Sequence, residues 1–284
     1  MSAESRAPDS PAAAPPPATL PEYLAHWAAA RPRAIAIRHK SLGVWEAWTW
    51  SDLQAEVGRV SATLESQLVD PGDAAAFSSG LSPRALAAVL AAQALSGGAF
   101  DVSGGAGALT HAELIAAART WLDANGVGAE ARAFTWEAPT TEAAAIFIAG
   151  WLVAGIALIL PEDATTADAD RREAQPTIVA ATAASYEQLR QRVADNLPAV
   201  GTRLRTAVDA GLAASPKNRA RRVLGGWLVR RPLREILGLR RAALALVLDE
   251  EPPPVAAREL FAQLGVPLRA LTREPRAEIG GRLT

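Results

Sequence analysis

The sequence predicts an α/β protein whose mainly parallel sheet is flanked by helices. Short apolar runs alternate with longer segments of helical periodicity, and several of those segments begin with a residue that can cap a helix. Half of the 284 residues are hydrophobic, and 29 Lys and Arg nearly balance 30 Asp and Glu. A chain of this length and composition can bury a substantial core, as one large domain or two modest ones.

Capping patterns mark the helix starts. In a capping box, two side chains three positions apart satisfy free backbone amides of the first turn. Ser82 followed by Pro83 marks a further start, because proline suits the first helical position. The four capping boxes are Thr19 with Glu22, Ser51 with Gln54, Thr110 with Glu113, and Ser185 with Gln188.

Strands are predicted for the short apolar runs between these helices. Residues 34–38 and 46–50 are typical of a hairpin joined by Ser41-Leu42-Gly43. Because the later runs alternate with helices, we expect βα units and a mainly parallel sheet. These later runs are residues 74–77, 99–102, 156–160, 177–180 and 244–248.

Residues 143–160 form an uncharged stretch that reaches the lower length limit of a membrane span. Its many alanines and glycines make it only moderately hydrophobic, and no basic cluster flanks it closely. We therefore favour a buried helix to about Ala154, a turn at Gly155, and a buried strand that ends at Pro161.

The composition argues against several functional classes. Without cysteine, the chain cannot form disulfides, a thiol nucleophile or thiolate metal ligands. Its three histidines are far apart, so we predict no metal site, and the balanced charge argues against nucleic-acid binding. Residues 1–18 are rich in proline and alanine and lack the apolar run of a signal peptide. We expect a disordered tail there and a cytoplasmic protein.

A basic segment stands out in the second half of the chain. Residues 215–241 contain nine basic residues and one acidic residue, interleaved with apolar ones. Residues 217–241 can therefore lie on an anionic membrane surface. The alternative, which we favour, is a solvated helix face whose apolar side packs on the domain.

Several motifs resemble the long-chain fatty acyl-CoA synthetases, which are AMP-binding, adenylate-forming ligases. Residues 19–53, TLPEYLAHWAAARPRAIAIRHKSLGVWEAWTWSDL, resemble the entry segment of that family. The resemblance implies a truncated N-terminal ligase domain over residues 19–284, with a first part at 19–102, a second α/β part at 103–284, and no C-terminal lid domain. Further motifs occur in the order of the family: Val69-Asp70-Pro71-Gly72-Asp73, Arg172-Glu173-Ala174-Gln175-Pro176-Thr177 and Gly265-Val266-Pro267-Leu268.

The resemblance also locates the expected nucleotide site. The phosphate-binding loop of the family corresponds to residues 102–111, and its glycines let backbone amides approach an anion. The lysine of that loop is missing, and no Lys or Arg occurs between Arg84 and Arg119. A tight turn before a helix capped by Thr110 is the alternative, in which His111 is structural. The candidate nucleotide-binding residues are Ser103, Gly104, Gly105, Gly107 and Thr272.

Two other family motifs are altered. Leu248-Asp249-Glu250-Glu251 stands where a small-residue strand end would contact adenine, and its carboxylates would repel a phosphate. Alternatively, they stabilise the N-terminus of the helix that follows Pro254. Thr272 matches a phosphate-binding threonine, but Arg273 replaces a carboxylate that would bind Mg²⁺.

Three functional hypotheses follow. The first is a degenerate, non-catalytic relative without catalytic residues, a pseudoenzyme of fatty acid metabolism. It would bind an acyl group, an acyl-adenylate, an acyl-CoA, a partner protein such as an intact synthetase, or a second copy of itself. The second is an active fatty acid–CoA ligase helped by a partner subunit, with ATP, AMP and Mg²⁺ implied by the resemblance. The third is a peripheral membrane protein that handles lipids through residues 217–241.

Overall fold

A computed structural model describes residues 15–67, 81–96, 109–138, 140–212 and 226–271. Seven strands form one sheet in the order β2-β1-β4-β3-β5-β6-β7. Only β1 and β2 pair antiparallel, and every other pair in this order is parallel, which confirms the predicted fold class. The strands are β1 (Ile35–Ser41), β2 (Val44–Thr49), β3 (Arg132–Thr135), β4 (Ala157–Leu160), β5 (Ile178–Ala181), β6 (Leu244–Val247) and β7 (Leu268–Ala270).

Helices cover both faces of this sheet. The described helices are α1 (Leu20–Ala30), α2 (Trp50–Gln67), α3 (Pro83–Ser96), α4 (His111–Ala124), α5 (Glu142–Ala154), α6 (Ala167–Ala174), α7 (Ala183–Asp195), α8 (Arg203–Leu212), α9 (Arg231–Ile236) and α10 (Val255–Gln263). A π-helical turn, Gly226–Arg230, leads directly into α9. Helices α1 to α5 form the larger core on one face, and α7 to α10 enclose a second core on the other.

The alternation of side chains along the strands divides these two cores. In β6, Leu244 and Leu246 belong to the larger core, whereas Ala245 and Val247 belong to the second. Successive residues of a strand point to opposite faces, so a fully buried strand has apolar residues at every position. This explains why the sequence shows continuous apolar runs rather than alternating ones.

The hairpin prediction is confirmed. Leu42 and Gly43 connect β1 to β2, with φ angles of +48° and +76°. Two successive left-handed residues are typical of a tight hairpin turn that matches the twist of the strands. Trp50, which the sequence placed in the second strand, is the first residue of α2.

Three of the predicted helix starts are confirmed. Thr19 caps α1, and Ser82 Oγ accepts the N–H of Ala85. Thr110 and Glu113 form a complete capping box at α4.

The two remaining starts lie earlier in the chain than predicted. Thr49 and Asp52 cap α2 in place of Ser51, because β2 already ends at Thr49. Thr182 caps α7, and Ser185 instead donates its N–H to Thr182 Oγ1. In both cases two residues could cap the helix, and the point at which the preceding strand ends determines which of them does.

Residues 143–160 fold as a buried helix, a turn and a strand, as predicted. Helix α5 ends at Ala154, Gly155 adopts a left-handed conformation, and β4 ends at Leu160. Among the described helices, none combines the length and apolar character needed to cross a membrane. The predicted strands at 74–77 and 99–102 lie outside the described residues, as does the tail before residue 15.

Candidate ligand-binding edge of the sheet

Strands β3, β5 and β6 are neighbours, and their carboxyl ends meet at one edge of the sheet. Ligands of open α/β sheets commonly bind outside the carboxyl ends of parallel strands. Here the loops after these three strands bring together Glu137, Thr182 and Asp249. We call these three residues the acidic edge.

Glu137 binds the start of α7 through hydroxyl groups. Its Oε1 accepts hydrogen bonds from Ser185 Oγ at 2.6 Å and from Thr182 Oγ1 at 3.1 Å. The backbone N–H of Thr182 lies 3.4 Å from the same oxygen. The carboxylate is therefore held at a helix N-terminus, where the backbone dipoles favour negative charge.

Asp249 reaches the same helix from the opposite side. Its Oδ2 accepts the backbone N–H of Ala183, the first residue of α7. The sequence placed this acidic run at the helix after Pro254, but α10 has no side-chain cap, and Glu250 and Glu251 are exposed. That prediction is wrong for Asp249, because the pairing of β6 with β5 puts the end of β6 beside the start of α7.

A further hydrogen bond ties the edge to the other face of the sheet. Thr141 caps α5 and donates its hydroxyl to the carbonyl oxygen of Leu248 over 2.6 Å. The carboxyl ends of β3, β5 and β6 are therefore linked by the hydrogen bonds of the protein itself.

Two buried polar side chains contact residues near this edge. Tyr186 packs edge-on against Phe261, and its hydroxyl lies 3.0 Å from the carbonyl oxygens of Val179 and Leu246. Complete burial raises the pKa of Tyr186, so the phenol stays neutral.

Arg171 is the second buried polar side chain. Its Nε donates to Leu237 O over 2.7 Å, and Nη2 donates to Asp168 Oδ1 over 2.8 Å. Its guanidinium also lies 5.3 Å from the ring centre of Trp136. Burial lowers the pKa of Arg171 to about 10, which leaves it charged at neutral pH. It holds α6 against the loop after α9.

Solved structures of known proteins share this architecture. A fatty acyl-adenylate ligase from L. pneumophila, in complex with acyl adenylate and pyrophosphate, is 13% identical with a TM-score of 0.57. The match covers 88% of this chain and 53% of that one. The N-terminal domain of FACL13 from Mycobacterium tuberculosis is 13% identical with a TM-score of 0.55, over 89% of this chain and 75% of that one.

The chain has the fold of the adenylate-forming ligases. A third structure with this fold is the N-terminal subdomain of Klebsiella oxytoca NpsA in complex with 3-hydroxyanthranilyl-AMSN. It is 10% identical with a TM-score of 0.54, over 89% of this chain and 72% of that one. At such identities the likeness shows the fold alone, and the chain spans only about half of the first ligase. No family model and no curated protein matches the sequence.

Within this ligase fold, the sequence-predicted nucleotide-binding residues lie outside the described part of the chain. They are Ser103, Gly104, Gly105, Gly107 and Thr272. Asp249 was singled out in the sequence and lies at the acidic edge, whereas Glu137 was not. The one signal for Glu137 was an acidic residue that follows the short run Ala133 to Trp136, which is too short to predict a strand.

His111, the first residue of α4, has a structural contact. Its Nδ1 accepts the backbone N–H of Leu20 at 3.4 Å and so joins the start of α4 to the start of α1. Burial lowers its pKa, although the nearby Glu22 acts in the opposite direction. A neutral imidazole suits this acceptor role.

The acidic edge does not fit a phosphate group. A nucleotide phosphate there would face the carboxylates of Glu137 and Asp249, which already accept the hydrogen bonds of the helix start. Across the described ranges, no cluster of three or more His, Asp or Glu side chains is arranged to hold a metal ion.

Proposed function

We propose that this chain is a non-catalytic relative of the adenylate-forming ligases that uses their fold for binding. The acidic edge carries this proposal. Adenylation builds up negative charge on transferring phosphates and requires groups that stabilise it. Glu137 and Asp249 would act against that charge, and both are fixed by hydrogen bonds to α7.

The proposed ligand is an acyl group or an acyl-adenylate, and the proposed protein partner is an intact ligase or a second copy. The long-chain acyl-CoA synthetase motifs support an acyl ligand. Two of the structures with this fold hold acyl adenylate with pyrophosphate and 3-hydroxyanthranilyl-AMSN, respectively. If a nucleotide binds, the proposed contacts are Ser103, Gly104, Gly105, Gly107 and Thr272. ATP, AMP and Mg²⁺ enter only in that case.

Calorimetric titration of the full chain tests the binding half of the proposal. The probes are a free long-chain fatty acid and a non-hydrolysable acyl-adenylate analogue, each with and without Mg²⁺. We expect the fatty acid to bind saturably and the adenylate to gain no affinity from its nucleotide. If neither probe binds at millimolar concentration, the acyl-ligand proposal is wrong, and the proposal of a protein partner is the one that stands.

A matched pair of variants tests the role of the acidic edge. Replacing Glu137 with Gln and Asp249 with Asn removes two charges and keeps hydrogen-bonding groups in place. Affinity for the adenylate analogue should rise about fivefold for each charge removed, if each repels a phosphate with about 1 kcal/mol. The exposed pair Glu130→Gln and Asp195→Asn is the control, which should leave affinity unchanged.

An adenylation assay tests the non-catalytic half. Release of pyrophosphate from ATP in the presence of fatty acid should stay at background for the isolated chain. Turnover within the usual enzyme range, on the order of 1 s⁻¹ or faster, would overturn the proposal.

A further inference from the structure

The second core is flanked by a surface that combines exposed apolar and basic side chains. It comprises residues 200–212, which include α8, and residues 226–241, which include the π-helical turn and α9. The two parts touch, since Arg230 Nε donates to Gly211 O over 3.3 Å. We call them together the basic apolar surface.

Apolar side chains on this surface point in two directions. Val208, Val229 and Leu233 pack against the second core, as expected of a helix face on the domain. Leu228 and Ile236, however, are 65% and 61% exposed. Val200 and Leu204 are also exposed, so half of the large exposed apolar residues of the described chain lie here. The basic apolar surface therefore has apolar side chains packed on the core and others exposed to solvent.

The charge of this surface is strongly positive. Residues 200–212 and 226–241 contain seven arginines against Asp209 and Glu235, although the whole chain has a net charge of −1. Three of these arginines are structural: Arg205 pairs with Asp209, Arg230 binds the end of α8, and Arg234 donates to carbonyl oxygens of the loop after α9. Arg203, Arg240 and Arg241 are exposed.

We propose that the basic apolar surface binds anionic lipid membranes. Exposed aliphatic side chains of this surface can enter the head-group region, while its exposed arginines bind lipid phosphates in a bidentate manner. Each basic residue near an anionic membrane strengthens binding measurably, and apolar insertion adds to it. A surface with both features fits a lipid interface better than a nucleic-acid backbone, which offers phosphates but no apolar layer.

Vesicle co-sedimentation of the full chain tests this proposal. One set of vesicles is phosphatidylcholine alone, and the other contains about a third phosphatidylglycerol. We expect binding to the anionic vesicles only, with a steep decline between about 50 and 500 mM salt, since screening weakens charge contacts. Equal binding to both sets, or binding to neither, would overturn the proposal.

Charge-reversal variants locate the surface. The triple variant Arg203→Glu, Arg240→Glu and Arg241→Glu should bind anionic vesicles at least about 100-fold more weakly, at about fivefold for each arginine. The control is Arg33→Glu, Arg84→Glu and Arg258→Glu, which changes three exposed arginines elsewhere by the same charge. An equal loss in both triples would mean that net charge, and not this surface, drives binding.

A second pair of variants tests apolar insertion. Leu228→Ser with Ile236→Ser should weaken binding on the order of tenfold, since both side chains leave water on insertion. Val44→Ser with Val255→Ser, which are similarly exposed on other parts of the molecule, should have no effect. Unchanged binding by the first pair would contradict insertion. Membrane binding does not depend on the acyl-ligand proposal, so either can fail without the other.

Discussion

Replacing Gly155 with alanine should destabilise the fold strongly, because this glycine ends α5 against the side chains of Trp27 in α1 and of Arg31 directly after it. Its φ angle is +59°, in the left-handed region. A Cβ atom there would lie 2.3 Å from Arg31 Nη2 and 2.4 Å from Trp27 Cε2. Both side chains are held in place: Trp27 Nε1 donates to Leu152 O over 2.6 Å, and Arg31 Nη2 donates to Gly155 O over 2.7 Å.

The magnitude follows from two contributions. A left-handed conformation costs alanine about 1–2 kcal/mol. Displacing Trp27 and Arg31 would break two hydrogen bonds, at about 1 kcal/mol each. The expected loss in the free energy of unfolding is therefore about 3–4 kcal/mol, a large part of the roughly 5–15 kcal/mol by which native proteins are stable.

Gly126→Ala is the matched control for this experiment. Gly126 also has a φ angle of +59°, but a Cβ atom there meets nothing within 4 Å. Urea unfolding followed by circular dichroism should show a loss of about 1–2 kcal/mol for this control, with an unchanged m-value. If the two variants lose the same stability, the packing of Trp27 and Arg31 against Gly155 does not stabilise the fold, and the reasoning is refuted.

Three further predictions concern buried polar groups. Tyr186→Phe should lower the free energy of unfolding by about 1 kcal/mol, because its hydroxyl lies near two strand carbonyls, and a change within error would contradict this. Because burial lowers the pKa of His111, stability should fall as the pH drops through its ordinary value of 6.5, and urea titrations of His111→Asn should lack this decline. Burial acts to raise the pKa of Asp170, but the hydrogen bond from Lys40 and other contacts lower it overall. The stability that ionised Asp170 contributes is present above about pH 4 and is lost as the pH falls further, so Asp170→Asn should flatten the acid limb of the stability profile in urea titrations; an unchanged acid limb would contradict this.

Local sequence signals predicted which helices and strands form better than they predicted the residues at which these elements begin and end. Thr110 and Glu113 form the expected capping box because the pair satisfies the helix start without help from other elements. At α7, both Thr182 and Ser185 can cap, and only the pairing of β5 with its neighbours decides between them. Strand β3 was missed because it is four residues long and begins with Arg132, although it lies in the centre of the sheet.

Local sequence patterns could not predict the candidate site, because it depends on the order of the strands in the sheet. Asp249 was recognised because it replaces a small residue in a ligase motif, but Glu137 lies far away in the chain and matches no motif. Their approach to α7 requires that β3, β5 and β6 be adjacent in the sheet, which is a property of the strand order. In a parallel sheet, every loop at the carboxyl edge faces the same ligand space. The strand order alone therefore brings Glu137 and Asp249 to the start of α7, although they lie on separate loops and 112 positions apart in the chain.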